Sequence, residues 1–345
     1  MSQVHGRYTP GVSTALVQLP DPGMPTRHLM RVGGMHLHWA EEGTGRATIF
    51  LHGVCDSHRS WRKVAPALSR TRRVLMPDLP GHGLSDRPDA PYTIEWYGRT
   101  IGAWIDALDL KTFDLVGHSY GGGVAQMLLL THAERIGHLA LVGSGGLGSE
   151  VALGLRLWSA LRGAERFAQP LLAPVTRLAI DKLLPGSDRE DVALMSWMNA
   201  MPGTGRSLSR TVRAVIDWRG QKEQLLDHAG ELPEALPPIA LFWGSRDPII
   251  PVTHAQALVA RMDNVTLTQF DGCGHWPQLE QPEAFSLALA QFLGEPAMQR
   301  ARLRLPIVAP AVPRWRRIVR ALWRALRTFT AALSAWVRRK RLPRY

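Results

Sequence analysis

Three residues far apart in the chain have the types and neighbours that nucleophilic catalysis requires. Ser119 stands in Val116-Gly117-His118-Ser119-Tyr120-Gly121, after an apolar run and before a helical pattern. The Gly-x-Ser-x-Gly spacing has a mechanical reason: a serine on a sharp strand-to-helix turn is strained, so its neighbours must be small, and the turn presents the hydroxyl at the edge of a sheet. A serine hydroxyl is a weak nucleophile and needs a base. His275 sits in the glycine-rich run Asp271-Gly272-Cys273-Gly274-His275-Trp276-Pro277, after another apolar run. Asp247, in Trp243-Gly244-Ser245-Arg246-Asp247-Pro248, is placed to hold the imidazole tautomer and stabilise the imidazolium. Asp271 is closer to His275 in sequence, but four residues upstream in one loop is poor geometry for that role. The developing oxyanion needs donors. Phe50-Leu51-His52-Gly53-Val54-Cys55 follows a further apolar run and offers the Val54 N–H; the Tyr120 N–H, directly after Ser119, is the second. Gly53, His52, His118 and Trp276 flank these groups and are expected to shape the pocket or order its loops, His52 by ordering rather than reacting. A turn serine with no chemical role is the plain alternative, and it weakens once the partners are counted.

These side chains need a scaffold that brings loops from distant strands to one edge. His28–Val32 and Met35–Trp39 flank Gly33-Gly34 and read as a hairpin. Apolar runs recur at Ala47–Leu51, Arg73–Met76, Phe113–Val116, His138–Val142, Ile239–Trp243 and Val265–Phe270. Helical patterns at Thr93–Leu108, Tyr120–Thr131, His254–Met262 and Pro282–Leu293 alternate with them, which indicates an α/β fold: a mostly parallel sheet with helices on both faces. The alternation stops between Leu147 and Pro237, where helices are expected around Val151–Arg162, Pro170–Leu184, Asp188–Met201 and Ser207–Asp217. Such an insertion is most simply a helical cap over the ligand end of the sheet; a packing domain without a substrate role is the alternative. The organisation is then a loose arm at 1–25, a core at 26–146 and 238–295, a cap at 147–237, a Pro-rich linker at 296–313 and a basic tail at 314–345.

Residues from about 28 to 293 resemble the α/β-hydrolase superfamily. Besides the serine turn, His52-Gly53 with Ser57 and Trp61 is similar to that family's oxyanion loop. Asp78-Leu79-Pro80-Gly81-His82-Gly83-Leu84-Ser85 is similar to its Asp-x-Pro-Gly-His-Gly-x-Ser turn. Trp243-Gly244 with Asp247, and Gly274-His275 with Pro277, Glu280 and Pro282, resemble its acid and base segments. The resemblance implies a serine hydrolase, probing substrate class far less than fold. The haloalkane dehalogenases and epoxide hydrolases of this fold carry an aspartate where Ser119 stands. Gly145-Gly146-Leu147-Gly148 and Trp276 resemble the hydrolases that cleave C–C bonds of ring-fission products, but those usually have Asn-Ser-Met where this chain has His118-Ser119-Tyr120. A carboxylic ester, apolar or lipid-like, is therefore the first expectation. A C–C bond hydrolase, a cofactor-free haloperoxidase or perhydrolase, and a non-catalytic scaffold are the alternatives. None of the enzymatic readings calls for a metal or an organic cofactor.

The chain has 345 residues and a formal net charge of +12, from 41 Lys+Arg against 29 Asp+Glu. Fourteen of the basic residues and none of the acidic ones lie between Arg300 and Tyr345, leaving 27 basic and 29 acidic groups, a net of −2, before them. The body is therefore not basic, and its pI gives no reason to expect nucleic-acid binding. On a helical wheel the tail puts Trp315, Ile318, Leu322, Trp323, Leu326, Phe329 and Trp336 within an arc of about 140°, opposite Arg317, Arg320 and Arg324. With no acidic residue to pair the arginines, residues 314–341 read as an interfacial helix for an anionic membrane surface, the alternative being that the stripe packs on protein. No run reaches about 18 apolar residues, and the opening Met-Ser-Gln-Val-His-Gly-Arg lacks a signal-peptide core. The expected location is cytoplasmic, possible attachment to the membrane face being peripheral. Cys55 and Cys273, the two cysteines, are expected to be separate reduced thiols.

Overall fold

The structure, a computed structural model, describes residues 26–295 except residues 162, 185–186, 226, 229–231 and 233–234. The arm at 1–25, the linker at 296–313 and the tail at 314–345, with its Trp, Leu and Arg pattern, lie outside the described residues.

Eight strands form one sheet: β1 Thr26–Val32, β2 Met35–Glu42, β3 Arg46–Leu51, β4 Arg72–Pro77, β5 Phe113–His118, β6 Ile136–Val142, β7 Ile239–Gly244 and β8 Val265–Phe270. Their order is β1-β2-β4-β3-β5-β6-β7-β8. β2 pairs antiparallel with β1 and β4, and every later pairing is parallel. The β1–β2 turn is the two residues between Val32 and Met35. Gly33 and Gly34 both have positive φ, 55° and 87°, which is the conformation that a right-twisted two-residue hairpin demands and that glycine adopts without steric cost.

The helices follow in chain order: α1 Ala65–Leu68, α2 Ile94–Ala107 and α3 Tyr120–His132 in the first half; α4 Leu153–Ala160, α5 Ala164–Phe167, α6 Leu172–Leu183, α7 Arg189–Ala200 and α8 Thr204–Val215 between β6 and β7; then α9 Thr253–Val259, α10 Pro277–Glu280 and α11 Pro282–Phe292. α2 starts where Thr93 accepts the Trp96 N–H with its side chain, a cap that satisfies one of the helix's orphan donors. The short α1, α5 and α10 have no counterpart in the sequence periodicity, because one helical turn is too short to show a repeat.

The apolar runs of the central strands are continuous because helices cover both faces. Alternate residues serve the two sides: Ile49, Leu51, Leu241 and Trp243 join one apolar cluster, and Phe50 and Phe242 join the other. On the second side Phe242 packs against Phe270 and Phe285. All of these side chains are buried, each contributing about 1.5–3 kcal/mol by leaving water. The result is a stiff platform whose strand C-termini carry the loops described next.

Candidate active site

β5 ends at His118, α3 begins at Tyr120, and Ser119 alone makes the turn with φ 53° and ψ −117°. A non-glycine residue there is strained by about 1–3 kcal/mol and persists only when its surroundings fix it. Here the Ser119 N–H donates to the Val142 carbonyl at 2.9 Å, and the Ser119 carbonyl accepts from the Gly122 and Gly145 N–H groups at 3.0 Å each. The turn is tight enough that a Cβ at Gly121 would run into the Leu51 carbonyl, and one at Gly117 into the backbone of Gly121. Both glycines are space-making residues, as the spacing predicts.

His275 follows β8 and Asp247 follows β7. The His275 Nδ1–H donates to Asp247 Oδ2 at 2.7 Å, and both side chains are buried. Asp247 Oδ1 accepts the N–H groups of Ile249 and Ile250 at 2.8 and 3.0 Å, so the carboxylate is fixed at both oxygens. Asp271 instead accepts from the Ser245 hydroxyl at 3.2 Å on the exposed side of the loop. Glu280 clamps the backbone around His275, accepting from Gly274 N–H at 2.8 Å and Trp276 N–H at 3.1 Å. His118 Nε2–H donates to the His275 carbonyl at 2.9 Å, and its ring lies against those of His275 and Trp276. Burial, with His275 adding to it, holds the His118 pKa well below the usual histidine value, so this ring is a neutral support.

The loop after β3 passes directly over the serine. A Cβ on Gly53 would lie 3.1 Å from both His118 Nδ1 and Ser119 Cβ, closer than ordinary contact, so a glycine lets the loop lie close against the serine turn. His52 is fully used by structure: its Nδ1–H donates to the Gly53 carbonyl at 2.7 Å and its Nε2 accepts the Leu79 N–H at 2.9 Å. Its pKa is lowered by burial. Cys55 turns the loop with φ 58°. Tyr120 opens α3, where the first N–H groups of a helix have no intrahelical acceptor. Val54 lines the same cavity as Ser119 and His275.

Asp78 anchors this loop from below. Its carboxylate accepts from His38 Nδ1–H at 2.8 Å, from His58 Nδ1–H at 2.9 Å, from the His58 N–H at 2.6 Å and from the Leu84 N–H at 2.9 Å. These contacts hold its carboxyl well below the ordinary range against the opposing cost of burial. The three side chains could in principle ligate a cation, but the lone pairs of Asp78 are already engaged in tying β2, the loop after β3 and the loop after β4 together.

A cavity of about 310 Å³ lies over Ser119 and His275. Its far wall is the helical insertion, through Leu155 and Trp158 of α4, Leu172, Ala179 and Leu183 of α6, and Val212 of α8. Three polar ties join α7 of the insertion to the loop after β3. Asp191 pairs with Arg59 at 2.5 Å and Arg62 at 2.6 Å. Buried Asn199 donates its Nδ2–H to the Cys55 carbonyl at 2.9 Å. The Ser57 hydroxyl donates to Met195 Sδ at 3.2 Å. Sequence reading missed Asn199 and Asp191, since no spacing links residues about 130 positions from their partners. Both cysteines are free. Burial, aided by Asp56, pushes the Cys55 thiol up to about 12, and burial raises Cys273 as well, so neither supplies a competing thiolate.

A model of the α/β-hydrolase fold family matches residues 49–282. An uncharacterized protein of Mycobacterium tuberculosis is 33% identical over 289 residues, covering 80% of this chain and 84% of that protein. The 2-hydroxymuconate semialdehyde hydrolase of Pseudomonas sp. strain CF600 is 31% identical over 273 residues, covering 76% of this chain and 92% of that enzyme. Among solved structures, a meta-cleavage product hydrolase of Pseudomonas fluorescens IP01 superposes with a TM-score of 0.64 at 26% identity, covering 76% of this chain and 96% of the other.

Proposed function

The chain belongs to the α/β-hydrolase fold family, and on that premise we propose that it is a serine hydrolase that cleaves an apolar carboxylic ester through an acyl-enzyme. His275 Nε2 takes the proton of Ser119 as its Oγ attacks the substrate carbonyl. The N–H groups of Val54 and Tyr120 stabilise the oxyanion. Collapse of the tetrahedral intermediate expels the alcohol, which takes its proton from His275. The same imidazole then removes a proton from water, whose attack on the acyl-enzyme releases the acid and restores Ser119. Asp247 keeps Nδ1 protonated and stabilises the imidazolium throughout. No step draws on a metal or organic cofactor.

The observation that carries this reading is the pairing of a strained serine with a buried His275–Asp247 pair under an insertion whose cavity wall is apolar. The insertion acts as a cap that selects acyl groups by length and shape. Arg59 and Arg62 on the cavity wall share the single carboxylate of Asp191, so the rest of the wall, which is mainly apolar, is what suits an apolar acyl chain.

A second reading, C–C bond hydrolysis of a ring-fission dienoate, is favoured by the similarity to the semialdehyde and meta-cleavage product hydrolases. Turnover of p-nitrophenyl esters of increasing chain length, set against turnover of a ring-fission dienoate, decides between the two. Preference for the dienoate would overturn the esterase reading, and no labelling of folded protein by a serine-directed fluorophosphonate would overturn both. Residues 314–341 are proposed to hold the enzyme at an anionic membrane surface; equal co-sedimentation with vesicles of the full chain and a form ending at residue 300 would refute that.

A further inference from the structure

Among the described residues, the nine exposed large apolar side chains all fall between Leu153 and Trp218, within the helical insertion, and none on the sheet or the helices that cover it. Their spacing is ordered. Leu153, Leu157 and Leu161 recur every four residues along one side of α4 and just past its end. Leu171, Val175 and Leu178, spaced four and three apart, form a second row that starts at the cap of α6. Phe167, 74% exposed, stands between the two rows in sequence. The opposite side of α4, through Leu155 and Trp158, and the adjoining flank of α6, through Leu172 and Ala179, line the cavity over Ser119. Val175 belongs to both sets, 50% exposed and lining the cavity. Val175 therefore joins the outer apolar row to the cavity.

We propose that the outer face of α4–α6 is a lipid-docking surface through which an apolar ester passes from an anionic lipid layer into the cavity. This deepens the hydrolase reading and rests on it. An apolar area of this extent marks an interaction site. Charge selects the occupant. The exposed cations on α5 and α6 are Arg166, Arg177 and Lys182, against Asp181 as the exposed acid of that stretch. The sequence of 314–341 repeats the combination of regularly spaced apolar residues and arginines, with no acidic residue among them. Cations on both disfavour the tail as the cover of the insertion and suit both to one anionic headgroup layer.

The test uses the full-length chain and vesicles of equal parts phosphatidylcholine and phosphatidylglycerol. In the Ser119→Ala variant, which removes turnover from the measurement, adding vesicles should slow hydrogen exchange in residues 153–161 and 167–178. Exchange unchanged by lipid overturns the proposal whatever the fate of the hydrolase reading. In the otherwise wild-type chain, Phe167→Ser/Leu171→Ser/Leu178→Ser, none of which lines the cavity, should lower turnover of a long-chain p-nitrophenyl ester dissolved in the vesicles by about tenfold or more. Turnover of soluble p-nitrophenyl butyrate should stay within twofold. Equal vesicle-borne turnover in the triple variant overturns docking by this face. So does a lipid-free wild-type dimer that the triple variant lacks, which would give the face to a second copy. So does lipid-free protection of α4 and α6 that Trp315→Ser/Trp323→Ser/Trp336→Ser abolishes, which would give it to the tail. Absence of soluble-ester turnover and of serine labelling, with lipid protection intact, would count against the hydrolase reading alone.

Discussion

The two walls of the cavity are built on different principles. The sheet side fixes backbone and side chains redundantly: Ser119 is held through its N–H and carbonyl, Asp247 at both oxygens, His52 at both ring nitrogens, and the His275 loop by Glu280 and His118. The insertion meets that wall with apolar side chains and a few polar ties from α7, Asp191 and Asn199 among them. Reacting groups must be placed within a fraction of an ångström, whereas the acyl chain of the proposed ester substrate would need only an apolar volume. A wall of hydrogen bonds and a wall of side-chain volume are the physical answers to those two demands.

Three substitutions break this comparison with decreasing force. Ser119→Ala should lower kcat by at least about 10⁴ and abolish labelling by a fluorophosphonate, with the thermal midpoint scarcely changed. A residual rate within tenfold of wild type would mean that another group is the nucleophile. Asp247→Asn keeps the shape but presents an amide to His275 Nδ1, favouring the wrong tautomer; kcat should fall about 10³–10⁴-fold, with KM for a short ester little altered. The same loss from Asp271→Asn would reassign the acid. Asn199→Ala reaches the sheet wall from the insertion. Loss of its hydrogen bond frees the Cys55 carbonyl in the positive-φ turn that follows Val54, the proposed oxyanion donor. One buried hydrogen bond and its unsatisfied partner amount to about 1–3 kcal/mol, so kcat should fall about tenfold while KM for a short ester holds. Asn199→Asp, which has no donor, should do no better. A change in KM alone would show that Asn199 shapes the pocket and leaves the oxyanion site unaffected.

The same division governs what could be read from the residues alone. The strand runs and the Ser119, Asp247 and His275 loops were legible because each depends on local chemistry: alternation or continuity of apolar residues, a glycine beside a serine, a glycine-rich turn before a histidine. His52 was legible as an ordering residue for the same reason, though its two partners were not. Asn199 and Asp191 were invisible, because their meaning arises only when α7 folds back over a loop more than 120 residues earlier. The outward-facing rows of α4 and α6 were also hidden. A broadly apolar helix looks in sequence like a buried one, and only the structure shows which of its apolar residues stay exposed among the described residues.

Acid separates the two walls by a smaller effect. His52, His82 and His118 all belong to the sheet side, and burial lowers the pKa of each, His82 to about 3 and His118 well below the ordinary value. In the unfolded chain these rings take up protons as the pH falls through about 6.5. In the folded protein they remain neutral, so below that pH the unfolded state binds more protons. Stability must then fall as acid is added, by up to about 1.4 kcal/mol per pH unit for each ring, from about pH 6.5 down to its folded pKa. Asp78, whose carboxyl is held below the usual range, contributes above about pH 4 and does not offset this slope. His118→Gln retains an N–H able to reach the His275 carbonyl and removes one of the titrating rings. Its urea-derived stability should fall less steeply than wild type between pH 6 and pH 5, by about 1.4 kcal/mol. An identical slope would mean that His118 takes up its proton in the folded protein, which would require the loop around His275 to open in acid before the insertion does.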